Sequence, residues 1–149
     1  MPVRMELSRI LIRELNDYQI IELREVSVDE TGEPVQAEGG RSFPIVIGLP
    51  EAQAIERRLK GVEIKRPQTH DLLASVIKNT GSRLQSISIT DLTEHTFFAT
   101  LDIRKEGGEL IHVDARPSDA IALGIAQGVP IFVAEHVLES AMRDDQSQS

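Results

Sequence analysis

The chain has 149 residues, enough for one domain that buries roughly 68–70% of the surface its unfolded form exposes. It has no cysteine, which excludes disulfides, thiolate metal ligands and a cysteine nucleophile; with 3% aromatic residues and no tryptophan, the core must be aliphatic and stacking platforms for nucleic acid are scarce. Sixteen basic against 24 acidic residues give a formal charge of −8, which repels polyanions at long range and weighs against a module that only binds nucleic acid.

Met5–Leu15 and Gln19–Val28 are rich in Ile, Leu and Val and flank Asn16-Asp17, so they predict a first hairpin with a tight turn. Residues 29–40, DETGEPVQAEGG, read as a polar loop, and Ser42–Ile47 return to strand character. Pro44 cannot donate to a ladder and places that strand at a sheet edge. A first helix is predicted over Pro50–Lys60, with Ala52, Ile55 and Leu59 on its inner stripe and Gly61 as its stop. Residues 56–66, ERRLKGVEIKR, carry five basic and two acidic side chains, a local +3 (5 − 2) that either meets phosphate or complements the dipole of a solvated helix end. A second helix should start with Thr69 as its cap, bury Leu72, Leu73, Val76 and Ile77, and end near Gly81; Leu84–Leu92 then read as a strand.

Phe97, Ala99, Leu101 and Ile103 alternate with polar residues, as do Ile111 and Val113, and Lys105-Glu106-Gly107-Gly108 supplies the turn of a hairpin. If the apolar faces match, parity sets Asp102 beside His112 and Thr100 beside Asp114 on the opposite face, where Asp102 and His112 read as an exposed cross-strand pair. Pro117 opens a helix after an extended Arg116, Ser118 is placed to cap it, and Asp119 sits where the helix dipole favours negative charge. Ala120–Ala126 are all apolar or Gly, so this helix is buried on most sides; Gly128 stops it and Ile131–Val133 form a short buried strand. Glu135–Met142 read as a last helix and Arg143–Ser149 as a frayed tail, giving one domain over residues 1–142 with a flexible tail over 143–149. Hairpins outnumber strand-helix-strand units, so the expected class is α+β, a largely antiparallel sheet covered by about four helices.

The stretch Arg116-Pro117-Ser118-Asp119-Ala120 opening a helix resembles the signature of the bifunctional nuclease domain family. The resemblance extends to Arg41-Ser42-Phe43-Pro44-Ile45-Val46-Ile47, to Glu51-Ala52 and to Arg66-Pro67-Gln68-Thr69-His70-Asp71-Leu72-Leu73, and so covers most of residues 5–140. Gly124 departs from the family pattern, where alanine is expected; a mid-helix glycine costs about 1 kcal/mol relative to alanine unless close packing requires it. The resemblance implies a divalent-metal-dependent nuclease or phosphodiesterase acting on DNA and RNA, and a homo-oligomer of at least two copies.

Phosphodiester hydrolysis needs charge stabilisation on the phosphoryl oxygens and an activated water, commonly through hard cations held by carboxylates. Asp71, Asp114 and Asp119 are the candidate ligands for Mg²⁺ or Mn²⁺, His70 is the candidate general base, and Arg66 and Arg116 are the candidate phosphate contacts. No organic cofactor is implied, since phosphate loops, dinucleotide fingerprints, G-x-S-x-G and His-Glu-x-x-His are absent from the sequence. The alternative is a non-catalytic oligomeric binding or regulatory module in which Arg116 pairs with Asp119 or Asp71, Thr69 and Ser118 merely cap, and the helix dipole alone explains Glu51. A charged-then-apolar leader and an apolar run near 18 residues are both missing, which predicts a cytoplasmic protein without a membrane partner.

Overall fold

Two strands form where the Ile, Leu and Val alternation predicts them. β1 (Val3–Leu11) and β2 (Tyr18–Val28) pair antiparallel, with Leu7 opposite Leu23 and Ile10 opposite Ile21. This computed structural model describes residues 2–13, 15 and 18–147, so the Asn16-Asp17 turn lies outside the described residues. Part of the expected loop over residues 29–40 is instead a strand: β3 (Pro34–Gln36) folds back on Val26–Val28. The cause is local, because Asp29 Oδ1 accepts the Thr31 and Glu33 N–H groups at 2.9 Å each and closes the intervening turn. β4 (Ser42–Gly48) also pairs with β2, Pro44 lying opposite Glu22 on a strand with one partner, as its missing N–H demands.

After α1 (Leu49–Lys60) and α2 (Thr69–Asn79), β5 (Arg83–Thr93), β6 (Thr96–Arg104) and β7 (Leu110–Ala115) form a meander; α3 (Pro117–Gln127), β8 (Ile131–Val133) and α4 (Glu135–Ser147) complete the chain. α4 runs on through Ser147 rather than ending at Met142. The eight strands make one sheet in the order β3-β2-β1-β8-β5-β6-β7, with β4 also on β2. β8 inserts between β1 and β5, antiparallel to the first and parallel to the second, and the other pairs are antiparallel. The class is therefore mixed α+β with four helices, as the hairpin-rich pattern requires.

The helices lie against the face that carries Ile21, Leu23, Phe43, Ile87 and Ile89, all buried, and their own contribution is Ile55, Ile121, Leu123 and Leu138. Each such side chain stabilises the fold by roughly 1.5–3 kcal/mol when fully buried, so an aliphatic core suffices without large aromatics. α3 is the central helix: Ala120, Ile121, Ala122, Leu123 and Gly124 are all buried, matching the unbroken apolar run. Gly61 and Gly128 adopt left-handed φ values of 63° and 67° and end α1 and α3, as predicted.

Three apolar expectations fail. Leu59, Leu72 and Val76 are about half exposed, not core. In α1 the inward position at that turn is taken by Arg58, whose side chain is only 7% exposed, so Leu59 is turned outward. In α2 the inward stripe is Leu73, Ala74 and Ile77, and four residues before Ala74 on the same stripe stands His70. That rotation decides where the chemistry of α2 points.

Candidate functional site

Three helix N-termini meet beside the edge of the sheet. α2 and α3 pack together, so the stripe of Leu73, Ala74 and Ile77 carries His70 to the first turn of α3, where its Nε2 lies 2.9 Å from Asp119 Oδ1. Arg116, the residue before α3, closes on the same carboxylate: its Nε donates to Oδ2 at 2.9 Å and Nη2 to Oδ1 at 3.2 Å. Its Nη1 donates to Glu51 Oε1 in the first turn of α1 at 3.1 Å. A continuous chain Glu51, Arg116, Asp119, His70 thus ties α1, α2 and α3 together.

Burial opposes the charge on Asp119, but hydrogen bonds from Arg116 and His70, with their Coulombic attraction, outweigh it and hold the carboxyl below its ordinary range. The same hydrogen bond to Asp119, its charge and the bond to Glu51 raise the Arg116 guanidinium further above its already high value. Asp119 is accordingly an anion with both oxygens engaged. A carboxylate that fixes one imidazole nitrogen leaves the other nitrogen of the neutral ring free to accept a proton, which is the arrangement a general base needs.

The remaining predicted site residues go elsewhere. Asp71 Oδ2 accepts the backbone N–H of Gln68 at 3.0 Å and lies 3.4 Å from Arg58 Nη2. Gln68 is therefore the N-cap residue of α2 and Thr69 its first helical residue, not its cap. Ser118 does not cap α3 either; the cap position is Arg116, which supplies no side-chain bond to the free amides. Arg66 is exposed between α1 and α2 and makes no hydrogen bond or ion pair among the described residues. Asp114 stands opposite Thr100 on the sheet face turned away from the helices.

Asp71, Asp114 and Asp119 do not converge, and no group of three or more His, Asp or Glu side chains arranged for a metal ion occurs among the described residues. Between Glu51 and Asp119 a guanidinium already stands where a cation would have to sit. This donor set does not fit a hard-cation cage, which calls for several unpaired oxygen ligands.

Asp102 is the other correction. The register sets it opposite His112, as parity requires, yet it is 3% exposed rather than a surface residue. Burial opposes its charge, but the hydroxyls of Ser88, Ser86 and Thr100 and the His112 ring all bond to it and keep its carboxyl below the ordinary range. Neither Glu51 nor Arg58 stands out in the sequence as a site residue: the dipole explains Glu51 until the fold brings Arg116, 65 residues away, to meet it, and Arg58 hides in a basic run. No local spacing signals either partnership.

Comparison with known proteins agrees with the motif resemblance. Residues 35–146 match the family described as the bifunctional nuclease domain. Over 106 residues the chain is 45% identical to an uncharacterized protein of Mycobacterium tuberculosis, covering 71% of this chain and 62% of that protein. It is 25% identical over 103 residues to Bifunctional nuclease 1 of Arabidopsis thaliana (68% of this chain, 32% of the plant protein) and to Bifunctional nuclease 2 of the same plant (68% and 31%). The chain thus spans less than two thirds of the length of these relatives. No helix among the described residues is long and apolar enough to cross a membrane.

Proposed function

The chain belongs to the bifunctional nuclease domain family, and from that membership together with the site around Arg116 we propose that it is a phosphodiester hydrolase acting on DNA or RNA. The observation that carries the reading is the Asp119 carboxylate shared between His70 and Arg116. In support of that reading, the shared carboxylate orients an imidazole and a guanidinium side by side. In this reading Arg116, whose side chain is 64% exposed and retains donors beyond the three bonds it makes, neutralises the phosphoryl oxygens. His70 removes the proton from the water that attacks phosphorus and returns it to the sugar oxygen that departs as its P–O bond breaks, while Asp119 holds the ring and stabilises the intervening imidazolium. Glu51 holds Arg116 from the opposite side.

The test is cleavage of single-stranded and duplex DNA and RNA by highly purified protein, with Mg²⁺, Mn²⁺ or chelator. Loss of a positioned general base costs about 10²–10⁴-fold in rate, so His70→Gln and Asp119→Asn should fall by that order while remaining folded. A wild type that cuts none of these substrates, or variants that cut as fast as wild type, would remove the hydrolase reading.

One observation favours a second reading, a non-catalytic assembly module: Leu72 and Val76, one turn apart on α2, are 56% and 50% exposed. In that reading they pack against another copy and the charge network only fixes the helix starts.

A further inference from the structure

A cavity of about 670 Å³ lies between β4, the β5–β6 turn and the start of α3, within the range of roughly 300–1,000 Å³ that small-molecule sites occupy. Its walls come from strands well separated in the sheet: Ile45 and Ile47 of the edge strand β4, and Leu92 and Phe97 flanking the β5–β6 turn. The Phe97 ring stacks on Phe43, centroids 5.6 Å apart, so this wall is fixed. At the rim stand Arg116 and Ser118. Ser118 is 6% exposed, and its hydroxyl makes no hydrogen bond among the described residues although it borders the cavity. That hydroxyl keeps its donor and acceptor capacity for a group bound in the cavity. The rim is also where α1 and α3 begin, at Gly48 and Arg116, neither closed by a side-chain cap; the Glu51 carboxylate lines the cavity too and pairs with one Arg116 nitrogen, so what the rim offers a ligand is the two helix starts and the guanidinium donors left over from Glu51 and Asp119. Hydrogen-bond donors at the rim and an apolar wall with one aromatic ring behind it match the two halves of a nucleotide.

Resting on the hydrolase reading of the adjoining site, we propose that this cavity takes one unstacked nucleotide, its base against Ile45, Leu92 and Phe97 and its phosphate on Arg116 and the Ser118 hydroxyl. A base stacked inside a duplex cannot enter without first being extruded, so the substrate class is single-stranded nucleic acid, loops and frayed ends. The overall charge of −8 fits the same choice: it disfavours lying along a long duplex and leaves capture to a local anion site.

The experiment is fluorescence anisotropy of short labelled oligonucleotides, single-stranded and as a closed hairpin duplex, in chelator, with the full chain. Single strands should bind at least about tenfold more tightly than duplex, and Leu92→Trp, which fills the cavity, should lose about tenfold. Thr96→Trp, on the exposed rim, closes the mouth without entering the core and should do the same if Leu92→Trp disturbs folding. Ser118→Ala should weaken oligonucleotides but not the uncharged nucleoside. Equal binding of duplex and single strand, or a Thr96→Trp protein that binds as wild type does, would overturn the assignment. So would a change in assembly mass in light scattering caused by the Trp variants, which would give the cavity to a second copy. Cleavage that survives both Trp variants removes this inference and leaves the hydrolase; tight single-strand binding without cleavage does the reverse.

Discussion

The buried Asp102 carboxylate lies 2.7 Å from Nδ1 of His112, whose own side chain is 57% exposed. One member of the pair is sealed by hydroxyl donors and the other meets solvent. His112 is the one ionisable partner among the groups bonded to Asp102, so the anion is held chiefly by neutral donors.

That arrangement sets an acid sensitivity. Because the folded Asp102 and Asp119 carboxyls lie below their unfolded values, near about 3.9 for aspartate, their stabilising contribution is fully present above that pH. It is lost as the pH falls through the folded values. Melting temperature should therefore decline on acidification below about pH 4, and the decline should be shallower in Asp102→Asn. Asp102→Ala leaves buried Ser86 and its neighbours without their acceptor and should cost about 1–3 kcal/mol at neutral pH by chemical denaturation. An unchanged acid profile in Asp102→Asn would contradict the assignment of charge.

Arg58 and Asp71 should respond unequally. The guanidinium is buried, bonds to the Ala54 carbonyl at 2.7 Å, and leaves Nε and Nη2 without a hydrogen bond among the described residues. Arg58→Met removes those buried donors with little loss of volume and should stay within about 1 kcal/mol of wild type. Asp71→Ala leaves the buried cation unpaired and strips the cap interaction of α2, so it should cost about 3 kcal/mol or more. Urea unfolding of the two variants gives the order; the reverse order would show that Asp71 is not the counter-charge.

Gly124→Ala should stabilise the protein. A Cβ built there would meet Ile87 Cγ2 at 3.4 Å and Val129 Cγ2 at 3.6 Å, ordinary contact distances, so the packing of α3 on β5 does not require glycine. The gain should approach about 1 kcal/mol from helix propensity. A lowered melting temperature would mean that the sheet cannot accept the added methyl.

Self-association is expected through α2. Leu72→Glu with Val76→Glu should reduce the mass measured by light scattering toward the 16.5 kDa of one chain without lowering the melting temperature of the separated protein. A wild type that is already monomeric at all practical concentrations removes the second reading.

Local rules determined most of the elements. Strict alternation and a four-residue turn fixed the β6–β7 register to the residue, Thr100 opposite Asp114 and Asp102 opposite His112, because side chains in a strand change face at every step. Proline and glycine set the start and stop of α3 for equally local reasons, a fixed φ and a left-handed one. The tertiary structure alone decided which face of each helix is buried and which charges meet. Hydropathy marked Leu59, Leu72 and Val76 as core, but packing against α3 chose the stripes containing Arg58 and His70. Bonds between His70 and Asp119, 49 residues apart, and between Glu51 and Arg116, 65 apart, depend on how α1 and α2 are rotated about their own axes, which no spacing within either segment encodes. The burial of Asp102 was hidden for a different reason: parity gives the face, while the convergence of Ser86, Ser88, Thr100 and His112 on one carboxylate depends on how the side chains of three adjacent strands pack together.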